Sequence, residues 1–182
     1  MKPQEAAVRS IDDYEAAFQT LPALPRDAGR VHLLVLRKGG GVHETPAEAE
    51  LSPEDGLHGD RWGQGKRNPD TQVTLMRLDV AELVRATPEQ PLHTPGDNVL
   101  VDLDLSEEAL PIGTRLRLGE ALLEVSPEPH TGCKLFSQRF GATALAWVNH
   151  KDHRARRLRG VNCRVIEGGR VRLDDAVSVV RG

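Results

Sequence analysis

The chain has 182 residues and a formal net charge of −3, enough sequence for one domain with a core of its own. Hydrophobic residues make up 38% and, once the 17 glycines are added, reach the range of ordinary globular domains, which excludes whole-chain disorder. Aromatics at 3% exclude a base-stacking platform, and the slightly acidic balance supplies no pull toward nucleic acid or an anionic membrane.

The first ten residues hold no apolar run of the kind a secretion signal needs. Residues 10–21 predict a helix: Ser10 can cap it with Asp13 at the capping-box position, and Ile11, Tyr14, Phe18 and Leu21 share one face. Residues 22–29 contain two prolines and a glycine and read as a linker. A helical extension over residues 1–29 is therefore expected ahead of a main domain over residues 30–182. Residues 31–37 predict an apolar strand ended by Gly39-Gly40-Gly41; it is far too short to span a bilayer, and a cytoplasmic protein is expected. Residues 72–76 predict a strand running into a helix over residues 78–86. Residues 98–105 alternate, with Val99, Val101, Leu103 and Leu105 on one face. Strands over residues 115–118 and 121–125 meet at Gly119-Glu120 as a tight hairpin. Residues 134–149 predict one long helix, and strands over residues 161–166, 171–173 and 176–180 end the chain. Many short strands with glycine turns and few helices predict a mainly β fold, a closed or partly closed β-barrel with helices outside it.

Two cysteines are too few for a disulfide framework and form no CxxC pair. Cys163 falls mid-strand and reads as core. Cys133 lies between a strand and a helix, with Lys134 adjacent and His130 nearby, and these are the surroundings that lower a thiol pKa. The competing reading is a small buried apolar side chain. Residues 56–67 pack four glycines among His58, Asp60, Arg61 and Lys66, a loop whose N–H groups and arginine fork suit a phosphate or other oxyanion. The plainer alternative is a solvated loop that Asp60 and Arg61 brace through local hydrogen bonds. No second His/Asp cluster completes a metal-ligand set with His58 and Asp60. Residues 151–159 carry five basic side chains against Asp152 alone, a charge able to gather a small anionic ligand toward a nearby site.

Gly59-Asp60-Arg61, then Pro95-Gly96-Asp97-Asn98-Val99, the hairpin over residues 112–125, Cys133-Lys134-Leu135 and the terminal element over residues 160–179 occur in this order. Together they resemble the MOSC domain, the family named for the C-terminal domain of molybdenum cofactor sulfurases. The sequence departs from the family pattern at Gly132, where proline commonly precedes the cysteine, at Thr114 and Asp97, where Asp and Glu are usual, and at Asp174 of the final Gly-Asp. The resemblance implies a β-barrel of the pyruvate-kinase-barrel type and an anion-lined pocket for a molybdenum cofactor of molybdopterin type. It implies Cys133 as molybdenum ligand or persulfide sulfur carrier. By the same resemblance Gly59, Asp60, Arg61, Asn98, Lys134 and His58 form the cofactor pocket. The chemistry implied is reduction of N-hydroxylated compounds or delivery of sulfur. Because the pyridoxal-phosphate domain of sulfurases is not expected in so short a chain, the partner implied is a cysteine desulfurase or a redox protein. A reading from another class remains open, a non-catalytic barrel that binds a small molecule or partner and in which Cys133 is inert.

Overall fold

The computed structural model describes residues 9–181; residues 1–8 of the expected extension, and Gly182, lie outside the described residues. Helix α1 spans Ile11–Gln19, and its start follows from the sequence. Ser10 Oγ accepts the Asp13 N–H at 3.1 Å while the Asp13 carboxylate accepts the Ser10 N–H at 2.7 Å, the reciprocal capping box. Five strands follow: β1 (Ala28–Leu34), β2 (Leu36–Gly39), β3 (Val42–Glu44), β4 (Glu48–Ser52) and β5 (Gly56–Leu57). The chain continues through β6 (Val73–Arg77), helix α2 (Leu78–Val84), β7 (Val99–Val101), β8 (Arg115–Leu118) and β9 (Ala121–Val125). Helices α3 (Lys134–Phe140) and α4 (Ala142–Val148) precede β10 (Val161–Glu167), β11 (Gly169–Arg172) and β12 (Ala176–Val180).

Seven strands close a barrel in the order β1-β12-β8-β9-β10-β6-β7, with β7 returning to β1. Every barrel pair is antiparallel except β6–β7. A parallel pair needs a crossover connection, and the segment carrying α2 supplies it. Outside the barrel, β4 sits between β11 and β5, and β2 pairs with β3. No helix among the described residues is long and apolar enough to cross a membrane.

Side-chain alternation divides the core in two. On β6 and β7, Val73, Leu75, Val99 and Val101 fill the barrel, while Met76 and Leu100 face the helices and pack with Val80, Phe136, Phe140 and Trp147. Both strands are buried along their whole length, as strands covered on two faces must be. Helix α1 belongs to this second core. Tyr14 is buried and stacks on Trp147 at 5.4 Å between ring centroids, and Phe18 meets the same indole edge-on at 5.7 Å.

Several sequence expectations are corrected by the structure. β1 begins at Ala28, inside the stretch read as linker, because Ala28 and Gly29 pair with Ser178 and Val177 of β12. The strand expected over residues 98–105 ends at Val101: the Asp102 carboxylate accepts the Arg30 N–H and meets His32 Nε2 at 3.0 Å, so a side chain takes over the pairing with β1. Leu103 and Leu105 still enter the barrel core. The helix expected over residues 134–149 is broken in two at Gly141, whose φ of 93° lies in a region that glycine alone adopts readily. β3, β4 and β5 were not legible, since β3 and β4 carry no apolar run and β5 is only Gly56–Leu57.

Candidate functional site

Cys133 is the residue immediately before α3 and is exposed. The segment leading to it is anchored by a residue with no motif of its own. Asn149, just past α4, accepts the Gly132 N–H at 2.8 Å and donates to the Gly132 carbonyl at 2.9 Å. A Cβ at position 132 would lie 2.6 Å from Leu145 Cδ1, and a proline there would also remove the N–H that Asn149 holds. Gly132 and Asn149 thus form a matched pair, which accounts for the departure from the family pattern. Partial burial on its own raises the Cys133 thiol pKa, but the backbone N–H groups of Phe136 and Leu135 and the charges of Arg159 and Arg139 outweigh it and hold the thiol below its ordinary value. The shift makes the thiolate more accessible than at an ordinary cysteine.

Behind this thiol lies a buried ion-pair centre. The Asp97 carboxylate is fully buried, accepts from His130 Nε2 at 2.7 Å and pairs with Arg159 Nη1. Arg159 also donates to the Pro95 carbonyl at 3.2 Å and lies over the Phe136 ring at 5.2 Å. Burial alone would raise Asp97, yet Arg159 and His130 hold it well below the usual carboxylate range. For His130, burial and the Arg159 charge lower the pKa and prevail over the opposing pull of Asp97. A neutral imidazole donating from Nε2 fits both directions. Arg139 donates to the carbonyls of Thr94 and Pro95 at 3.1 and 3.3 Å, so the two arginines grip one turn from different elements. Next to that turn His43 and His93 meet with Nδ1 atoms 3.3 Å apart. Burial and the Arg139 charge lower His43.

The adjacent residue, Asn98, connects to a second buried network. Asn98 Nδ2 donates to the Val35 carbonyl and to Asp60 Oδ1, both at 3.1 Å, and its Oδ1 accepts the Thr74 N–H at 3.1 Å. Asp60, 2% exposed, binds the Arg37 guanidinium through both oxygens at 3.0 and 2.7 Å and accepts the Trp62 N–H at 3.0 Å. Burial would raise Asp60, but the Arg37 contacts prevail and lower it. Asp60 therefore braces its loop through Arg37, a partner 23 residues upstream. Arg61 is exposed and has no ion-pair or side-chain hydrogen-bond partner among the described residues. His58 Nε2 meets Ser52 Oγ at 3.0 Å, and the Gly59 carbonyl accepts from Lys38 Nζ at 3.0 Å. Lys134 is exposed beside Cys133.

The structure thus brings Cys133, Arg139, His130, Asp97 and Arg159 together and joins Asp60 to Asn98, while His58 and Arg61 stay at the surface of their loop. Sequence reading missed Arg37, Arg139 and Asn149. Arg159 carried only the general signal of a basic stretch. Cys163, at 0% exposure, lies in the barrel core, and burial pushes its thiol up to about 12. Among the described residues no group of three or more His, Cys, Asp or Glu side chains could hold a metal ion by itself.

A closed seven-stranded barrel with outer helices and an exposed cysteine immediately before one of them defines the class: a cysteine-centred β-barrel domain. The family model of the MOSC domain matches residues 54–178, and the chain belongs to the MOSC domain family. Solved structures agree on the fold. The YUAD protein from Bacillus subtilis is 17% identical with a TM-score of 0.64, over 84% of this chain and 95% of that one. YiiM from Escherichia coli is 26% identical with a TM-score of 0.56, over 84% of this chain and 70% of that one. YiiM from Geobacillus stearothermophilus is 16% identical with a TM-score of 0.59, over 84% and 75%. No curated protein matches the chain.

Proposed function

We propose that this protein binds a molybdenum cofactor of molybdopterin type, with Cys133 as the protein's sulfur ligand to molybdenum. The observation that carries this reading is the exposed Cys133 thiol, held below its ordinary pKa against the effect of burial. A thiolate, not a thiol, is the metal-binding form. The surrounding residues fit an anionic group. Arg139 and Arg159 supply positive charge, and Arg159 Nε is a buried donor with no hydrogen-bond partner among the described residues. When bound, the cofactor would supply redox chemistry at molybdenum of the kind that reduces N-hydroxylated compounds.

The chain's own residues then have distinct tasks. Cys133 presents the sulfur anion. Arg139 and Arg159 neutralise negative charge on the ligand, and Asp97 fixes Arg159 and His130 in place. Asp60 and Asn98 hold the strands beneath the Asp97 turn and so shape the pocket from behind. The exposed Lys134, adjacent to Cys133, is available to the outer oxygens of the ligand. Because Cys133 is exposed, it is also open to a protein donor, which favours persulfide carriage with a cysteine desulfurase partner as the second reading.

Protein purified from a host that makes the cofactor tests the proposal. Molybdenum and pterin should copurify near one per chain, and Cys133→Ser should lose molybdenum while melting as the parent does. Wild-type protein without molybdenum or pterin would overturn it. Sulfane sulfur on Cys133, released by a reducing thiol from metal-free protein, would select the persulfide reading instead.

A further inference from the structure

The β2–β3 hairpin touches two of the loops behind Cys133, and its two strands are held down by different means. β2 is anchored by charge: Arg37 binds Asp60, and Lys38 reaches the Gly59 carbonyl and Glu44. β3 is three residues long, and its outer two, Val42 and Glu44, are exposed. Its middle side chain, His43, is half-buried and meets the His93 ring edge-on at 5.5 Å between centroids. The same ring covers Gly96, where a Cβ would lie 3.4 Å from His43 Cε1 and 3.2 Å from Arg139 Nη1. The tip between the strands, Gly39-Gly40-Gly41, has φ of 86°, 59° and 81°, and nothing lies within 4 Å of where side chains would begin. Such a tip offers little resistance to movement of β3.

The contact that fastens β3 is therefore a pair of imidazoles. With their Nδ1 atoms 3.3 Å apart, the rings can share a hydrogen bond only while at least one nitrogen is an unprotonated acceptor. Two protons make both nitrogens donors and set two positive charges against each other. The surroundings add to that repulsion. Arg139 of α3 lies beside His43, and Arg37 is its cross-strand partner on β2. Burial and the charges of Arg139, His93 and Arg37 lower the His43 pKa. The neighbouring carboxylates are committed elsewhere: Glu44 to Lys38, Asp60 to Arg37, and Asp97 to Arg159 and His130. Neither His43 nor His93 has a carboxylate within 4.0 Å among the described residues.

We infer that the His43–His93 contact is an acid-released latch that fastens β3 over the Asp97 turn. Closed, it covers Gly96, the neighbour of the carboxylate that fixes Arg159 and His130. Released, β3 leaves β2 as well, because so short a two-stranded ladder does not hold by itself in water, and the turn is uncovered on its Arg139 side. The closed form binds fewer protons than the open form, in which His43 titrates at its ordinary 6.5. Closure is therefore undiminished above that pH and weakens as the pH falls below it. The inference does not depend on which ligand Cys133 serves.

Amide hydrogen exchange of the full chain, followed residue by residue by NMR, tests it. Corrected for the chemical exchange rate, protection of the β2–β3 ladder should fall about tenfold from pH 7.5 to 5.5, the effect of one proton taken up a unit below 6.5. Amides of β9 and β10 should keep their protection. His43→Gln retains a side-chain acceptor that takes up no proton, and its ladder should change less than about twofold over the same range. His93→Ala removes the partner and should leave the ladder weakly protected at pH 7.5 already. Four results would each overturn the inference: a parent ladder indifferent to pH, an equal fall in β9 and β10, the parent's pH dependence persisting in His43→Gln, or full protection in His93→Ala. All are read on metal-free protein, so none bears on the cofactor proposal.

Discussion

Asp97→Asn should separate the stability of the barrel from the reactivity of its thiol, because one carboxylate serves both. Its side chain has no exposure and its oxygens are taken by His130 Nε2 at 2.7 Å and by Arg159. Asparagine fits the space but removes the charge, and its amide nitrogen turns a donor toward a donor. Breaking a buried pair from one side costs about 3–5 kcal/mol, since the partner charge stays buried. Arg159 keeps its bond to the Pro95 carbonyl and its place over the Phe136 ring, which argues for the lower end, ~3 kcal/mol. For a chain of this size that corresponds to a fall of roughly 6–12 °C in Tm. The thiol responds with the opposite sign. Arg159 already lowers the Cys133 pKa, and without Asp97 its field acts uncompensated, so that pKa should fall further. Urea unfolding reads the first effect, and the pH profile of alkylation reads the second. A stability loss below about 1 kcal/mol would mean that the pair is not buried as the geometry requires. A rise in the thiol pKa would mean that Asp97 does not act through Arg159.

The two cysteines should differ sharply toward a thiol reagent near pH 7: Cys133 is exposed with a lowered pKa, whereas burial pushes Cys163 up to about 12. Mass mapping after iodoacetamide treatment should find Cys133 modified and Cys163 untouched until the protein unfolds, and comparable rates would refute the thiolate argument. The attachment of α1 should depend on acid. Burial alone would raise Glu15, but hydrogen bonds from Arg156, Gln19 and Trp147 lower its pKa from the ordinary 4.5 to about 2. A folded value below the unfolded one means stability that is present above pH 4.5 and lost as the pH falls toward about 2. Tryptophan fluorescence should report Trp147 becoming exposed over that window, and Glu15→Gln should flatten the pH dependence there; an unchanged acid slope in the variant would show that the pair contributes nothing.

The fold class was legible because period-two alternation is a local property. Val99 and Val101 already declare one barrel face, and the hairpin over residues 115–125 declares its turn at Gly119. The capping box at Ser10 was legible for the same reason, since its donors and acceptors lie within three residues. Cys133 could be singled out from its neighbours in sequence. What surrounds it could not. Arg139 reaches the turn at Pro95 across 44 residues and Arg159 reaches Asp97 across 62. No local pattern marks an arginine as the future partner of a distant carboxylate. The Gly59-Asp60-Arg61 motif shows the limit most clearly. Its sequence invites Asp60 and Arg61 to be read as a unit, whereas the barrel delivers Arg37 to Asp60 and leaves Arg61 at the surface. By itself the sequence determined the alternation, the turns, the exclusion of disorder and the cysteine that stands out. Only the tertiary structure decided which charges are buried together, because the free energy of an ion pair depends on its separation and its shielding from water, and both are set when the strands close.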